Sequence, residues 1–218
     1  MKKFTGLSWL LLLSTLIGFA KEYSGREANS LVKGAELVRL SEVTKIPQHV
    51  KFRNATEAIP FNQFENWIKT HYRVPQGTGF RLINVETDPL GFSHYRYQQT
   101  INNMPVEGSM YLLHVKNNTI NSMNGLIFDN IIPSTAITFD TQNALNYALG
   151  YTNATTYRWQ IPFWENQIRI TQNNPNATWY PKGELVYAPV NGRFQGNEFR
   201  LCYKFDIYAE VPFSRNYV

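Results

Sequence analysis

His94, Arg96, Gln98 and Gln99 stand together at the start of "HYRYQQTINNMPVEGSMYLLHV" (residues 94–115), and His114 stands near its end. Such residues could ligate a metal, trade protons, or hydrogen bond a partner. The histidines are His49, His71, His94 and His114, and no two lie at metal-ligand spacing. A hairpin would bring His94 and His114 to one face of a sheet, so a two-histidine zinc site is conceivable there. A catalytic zinc takes three protein ligands and an open position, and no third ligand has matched spacing. Ordinary sheet-surface hydrogen bonds are the expectation. A serine nucleophile finds no G-x-S-x-G. Cys202 falls mid-strand with no histidine near it in sequence, which reads as a buried, inert thiol. Glu107, Glu165, Glu184 and Glu198 are scattered. No active site emerges, so the residues present are read as non-enzymatic. The remaining readings of the stretch are a solvated sheet face or a partner surface, the latter because Tyr95, Tyr97 and Tyr111 interleave with the polar groups.

The elements that would position these residues follow from periodicity. Phe61, Phe64, Ile68 and Tyr72 recur at helical spacing between Pro60 and Pro75, predicting a helix near 60–72. The period then becomes two. Strands are predicted over 80–86, 94–101, the run "MYLLHV" and 120–128, with turns at 88–91, Asn102-Asn103 and 116–119. A connector near 129–139 leads to a second helix, capped at Asp140 and closed by Gly150. Residues 151–182 show no clear period, and strands are predicted over 183–190 and, as one run, 198–210. The fold class is α+β: two small units, each a helix packed on an antiparallel sheet.

The ends and composition set the context. Met1, Lys2 and Lys3 precede the apolar run "LSWLLLLSTLIGF", and Gly18 and Ala20 supply a small-x-small end. This is the pattern of a secretory signal peptide cleaved near Ala20–Lys21, implying a secreted chain without a stable membrane anchor. Residues 21–58 are expected as an extended leader with at most short structure. Without Lys2 and Lys3 the 21 basic residues become 19 against 16 acidic, and no dense basic run appears, so nucleic-acid binding has little support. A lone cysteine forbids an internal disulfide, so stability comes from packing, for which 15% aromatics provide material. The sequons at Asn54, Asn117, Asn153 and Asn176 read as turn and surface markers.

With its elements placed, the quoted stretch closely resembles the FTP domain, the fungalysin/thermolysin pro-region module. The residues carrying the resemblance are His94, Arg96, Gln98, Gln99, Pro105, Val106, Gly108, His114, Val115, Asn124 and Gly125, with Asn103 standing where a glycine is common. On this reading 59–130 is an FTP-like domain, and 131–218 more loosely resembles a PepSY-type domain, truncated at its C-terminus. The resemblance implies the pro-region of a secreted thermolysin-like zinc endopeptidase, acting as intramolecular chaperone and inhibitor. It implies a protease domain as partner, in cis or in trans, and zinc only in that missing domain, with no cofactor in this chain. Arg96 and Gln98 are then buried polar anchors or protease contacts. A free-standing secreted inhibitor and a non-inhibitory binding or adhesion module are the alternatives.

Overall fold

The computed structural model describes residues 21–133, 136–137, 139–192 and 198–218. The expected signal segment lies outside them. Among the described residues no helix is long and apolar enough to cross a membrane.

The first unit runs β1 (Glu22–Ser24), α1 (Gly25–Leu31), β2 (Ala35–Leu40), β3 (Pro47–Phe52), β4 (Ile59–Pro60), α2 (Phe64–His71), β5 (Thr78–Thr87), β6 (Ser93–Ile101), β7 (Met104–Pro105), β8 (Met110–Lys116) and β9 (Thr119–Leu126). These strands form one antiparallel sheet in the order β1-β2-β3-β9-β8-β6-β5, with β4 added to β9 and β7 to β6. The meander β5-β6-β8-β9 has the expected order. Two of its turns are Asn pairs: Asn102 and Asn103 have φ of 50° and 67°, Asn117 and Asn118 of 51° and 59°. Two left-handed residues in a row make the turn whose twist suits a hairpin, and asparagine tolerates that region, which is why Asn103 can stand where glycine is usual.

The segment 21–58 is not an extended leader. It supplies β1, α1, β2 and β3, and β3 hydrogen bonds β9 with His49 opposite Asn124 and Val50 opposite Met123. The physical reason is burial: Ala28, Val38 and Val50 are fully buried in the same core as Ile68 and Leu113. Helix α2 supplies Phe64 and Ile68 to that core after a single 3-10 turn at Phe61–Gln63. Phe64 packs over Phe80, Tyr97 and Tyr111 at ring-centroid distances of 5.0, 5.8 and 6.0 Å. The Tyr111 hydroxyl, buried with these rings, donates to the Pro47 carbonyl at 3.0 Å.

The second unit contains α3 (Thr141–Thr152), β10 (Thr156–Tyr157), α4 (Pro162–Thr171), β11 (Glu184–Pro189), β12 (Phe199–Lys204), β13 (Asp206–Val211) and β14 (Phe213–Tyr217). The Asp140 carboxylate caps α3 as predicted, accepting from the Asn143 N–H at 2.9 Å, and α3 runs past Gly150 to a left-handed Asn153. Helix α4 lies where no period was legible. The run 198–210 is two strands, since Phe205 exchanges both backbone hydrogen bonds with Val218. On one side of that break β12 pairs β11; on the other, β13 pairs β10 and β14. The class is α+β, but the second unit has two helices and two small sheets.

The units share a core. Ile101, Val106 and Phe128 pack with Tyr187 and Phe199, all of them buried. Val106 forms a parallel bridge to Tyr187, the Glu107 N–H donates to the Tyr187 carbonyl at 2.8 Å, and Lys204 pairs with Glu107 at 2.9 Å.

Candidate functional site

Strand β6 lies between β5 and β8, and alternation sorts its side chains. Tyr95 and Tyr97 face the helix, with Phe61 4.2 Å from Tyr95 by ring centroids. His94, Arg96 and Gln98 face the other way. His94 stands directly opposite His114, and their Nδ1 atoms are 2.7 Å apart. The outer nitrogens are also engaged: His94 Nε2 with Asp88 Oδ2 at 3.2 Å, His114 Nε2 with Asn124 Oδ1 at 2.8 Å. The Phe92 N–H above all, and then His94, holds the Asp88 carboxyl below its ordinary value. The histidine approach expected from the hairpin is realised as a hydrogen bond. Among the described residues no group of three or more His, Cys, Asp or Glu side chains could hold a metal ion.

The other motif residues divide by environment. Arg96 is exposed and makes no side-chain hydrogen bond or ion pair among the described residues, so it is not a buried anchor. Gln98 is half-buried; it accepts from Arg81 at 2.8 Å and donates to the Val106 carbonyl at 3.4 Å. Gln99 is the buried one. Its amide donates to the Phe128 carbonyl and accepts from the Phe128 N–H, both at 2.8 Å. Pro105 is buried in β7, and Val106 and Gly108 form the excursion between β7 and β8, with Gly108 at φ 74° returning the chain to the sheet. Ser109 braces that excursion, donating to the Val106 carbonyl at 2.7 Å and accepting from the Gln99 N–H at 3.2 Å. Gly125 has φ 134°, and a Cβ there would run into the Met110 carbonyl.

Gln99's role was legible in principle. It shares the parity of Tyr95, Tyr97 and Ile101, and alternation alone points it to the core. Thr100, which the same alternation points outward, is buried as well, because β6 ends in the core between the units. His49 joins the histidine face from β3, and burial, then Arg39, lowers its pKa below the usual 6.5.

Cys202 departs from the expectation. It is exposed, not buried, because it shares the outward parity of Arg200 rather than that of Phe199 and Leu201. Its thiol donates to the Val186 carbonyl at 3.7 Å, and the part of its environment that does exclude water pushes its pKa up. It lines an apolar groove of about 500 Å³ with Phe139, Tyr147, Tyr151, Leu201 and Phe205. Tyr147 and Tyr151 are 72% and 80% exposed, so this groove presents aromatic rings to solvent.

Comparison with known proteins falls on the ribbon. Residues 78–126, which include β5 to β9, match the family model described as Fungalysin/Thermolysin Propeptide Motif. The chain is 28% identical over 111 residues to a bacillolysin of Bacillus amyloliquefaciens, an alignment taking in 48% of this chain and 21% of that protein. The chain thus spans about a fifth of the length of this curated relative. Through residues 78–126 this chain carries the propeptide motif of thermolysin/fungalysin-type protease precursors, and it is similar to a pro-region of that kind.

Proposed function

We propose that this chain is the pro-region of a secreted thermolysin-like zinc metalloendopeptidase, and that it assists folding of the protease domain and inhibits it until removed. The observation carrying this reading is the match of the propeptide motif to the segment that builds the ribbon. Residues 21–218 are the working part, released from a signal peptide near Ala20–Lys21, with 131–218 as a PepSY-like second unit. The partner is the protease domain, in cis or in trans. Zinc belongs to that domain, and this chain contributes neither catalytic residues nor cofactor. Arg96 is proposed as a protease contact, exposed on a strand that neighbouring strands hold rigid.

The physics suits the role. A large protease domain forms many non-local contacts and can be trapped while refolding alone. A preorganised surface that binds its folding transition state lowers that barrier, and one that also binds the native state stabilises and can block it. Rigid strands lose little ordering entropy on binding. The test adds purified 21–218 to a denatured thermolysin-like protease and measures recovered activity after the pro-region is digested away. Recovery well above a no-addition control, with inhibition of the native enzyme by micromolar pro-region, is expected. Absence of both sinks the reading and favours a binding or adhesion module.

A further inference from the structure

We propose that the free edge of β5 is a self-association surface, at which a second copy of this chain adds its own β5 antiparallel and continues the sheet across a two-fold axis. Strand β5 ends the sheet order, and among the described residues only β6 pairs with it. It is ten residues long. Every residue from Arg81 to Thr87 is exposed, including Leu82 at 47%, Ile83 at 46% and Val85 at 41%. An edge this long and this apolar has unpaired N–H and C=O groups ready to template another strand.

What selects a second copy is complementarity of this edge with itself. In an antiparallel pair, opposite residues must lie on the same face of the sheet. In a regular strand Arg81 and Glu86, five residues apart, would point to opposite faces. Here the register against β6 shifts between Leu82 and Asn84. The extra residue, Ile83, restores the parity: Arg81 stands beside Gln98 and Glu86 beside His94, both on the helix-free face. Leu82 stands beside Tyr97 and Val85 beside Tyr95, both on the helix side. A two-fold axis at Ile83–Asn84 therefore sets Arg81 against Glu86 of the second copy and Leu82 against its Val85, each twice. Edge charges protect a strand when they meet like charges; these meet opposite ones. Arg81 is free to reach across, since it holds Gln98 through one nitrogen and only a 3.6 Å exposed contact to Glu184 through another. Glu86 accepts from Asn84 with one oxygen, leaving the other.

Sedimentation velocity of residues 21–218 across the micromolar range tests this, together with amide hydrogen exchange of β5. Wild type should show a concentration-dependent dimer, with protection of residues 80–87 rising as dimer forms. Glu86→Arg places two arginine pairs at the interface and should weaken association about tenfold or more, given the usual worth of cross-strand charge pairs. The double exchange Arg81→Glu/Glu86→Arg recreates both pairs in reverse and should restore the dimer. Circular dichroism checks the fold of each variant; if the double exchange misfolds, Val85→Lys replaces it and must weaken association as Glu86→Arg does. A monomer throughout the range overturns the proposal. So does a dimer whose exchange protection falls elsewhere, such as the aromatic groove, or a folded double exchange that fails to rescue.

Discussion

A single side-chain amide, that of Gln99, satisfies both the N–H and the C=O of Phe128 in a site that water does not reach. Gln99→Leu keeps the bulk and removes both hydrogen bonds, at about 0.5–1.5 kcal/mol each. Urea unfolding should show the loss, whereas Gln98→Leu, at a half-buried site, should cost well under half as much. The doubled glutamine marks the motif, yet only alternation tells the two apart, and alternation fails one residue later, at Thr100, where the strand enters a core covered on both faces. His49 gives a pH dependence. Its pKa is lowered in the folded state, chiefly by burial and then by Arg39, so the native state favours the neutral ring. Its contribution to stability is complete above the ordinary value of 6.5 and is lost as pH falls below that value toward the depressed one. Denaturation midpoints measured on both sides of 6.5 should therefore fall on the acid side, and His49→Gln should flatten that slope. An unchanged slope in the variant would assign the effect to other groups.

Among the elements, β9 and α4 depend on features of opposite legibility. Gly125 lies within β9 opposite Tyr111, where a Cβ would strike the Met110 backbone, at a φ that other residues rarely adopt. Gly125→Ala should cost about 1–3 kcal/mol, read as a lowered denaturation midpoint with the fold retained. That glycine is visible in the sequence as part of the motif, and the meander around it follows from alternation and Asn-Asn turns. Helix α4 is hard to see because Phe163 and Ile170 are 60% and 63% exposed, so apolar residues on its open face blur the inward stripe of Trp164 and Ile168. Its neighbourhood is held instead by Arg158, whose guanidinium lies 3.6 Å from the Tyr208 ring centroid, 4.2 Å from Trp164 and 5.1 Å from Trp179, and bonds Glu210 at 2.6 Å. No period in the sequence announces four partners drawn from two elements and a loop. Arg158→Met strands the largely buried Glu210 and should cost about 3–5 kcal/mol in urea unfolding. Arg158→Met/Glu210→Gln should recover a substantial part, and no recovery would show that ring stacking, not charge, dominates. The strands of 21–58 are three to six residues long, too short to establish a period of two.

For the whole molecule, the shared core of Ile101, Val106, Phe128, Tyr187 and Phe199 predicts one unfolding transition rather than two. Far-UV circular dichroism reports the backbone of both units, while in a Trp67→Phe variant of 21–218 fluorescence comes from Trp159, Trp164 and Trp179 in the second unit alone. The two midpoints should coincide; separated midpoints would mean that the units unfold independently. The change of period and the Asp140 cap lead one to expect two units, but the contact between them was not legible, because it rests on Val106 meeting Tyr187 across 80 residues of sequence that no local pattern connects. That bridge assigns the work of alignment to noncovalent contact and leaves the covalent link between the units with little of it. Ile131 is buried, but Ile132, Ile137 and Phe139 lie open to a protease, at 82%, 53% and 52% exposure. A chain nicked there should migrate as two bands under denaturing electrophoresis and as one particle in gel filtration. Peptide-bond continuity and structural integrity would then be separable properties of this molecule, and a single cut would not by itself take it apart.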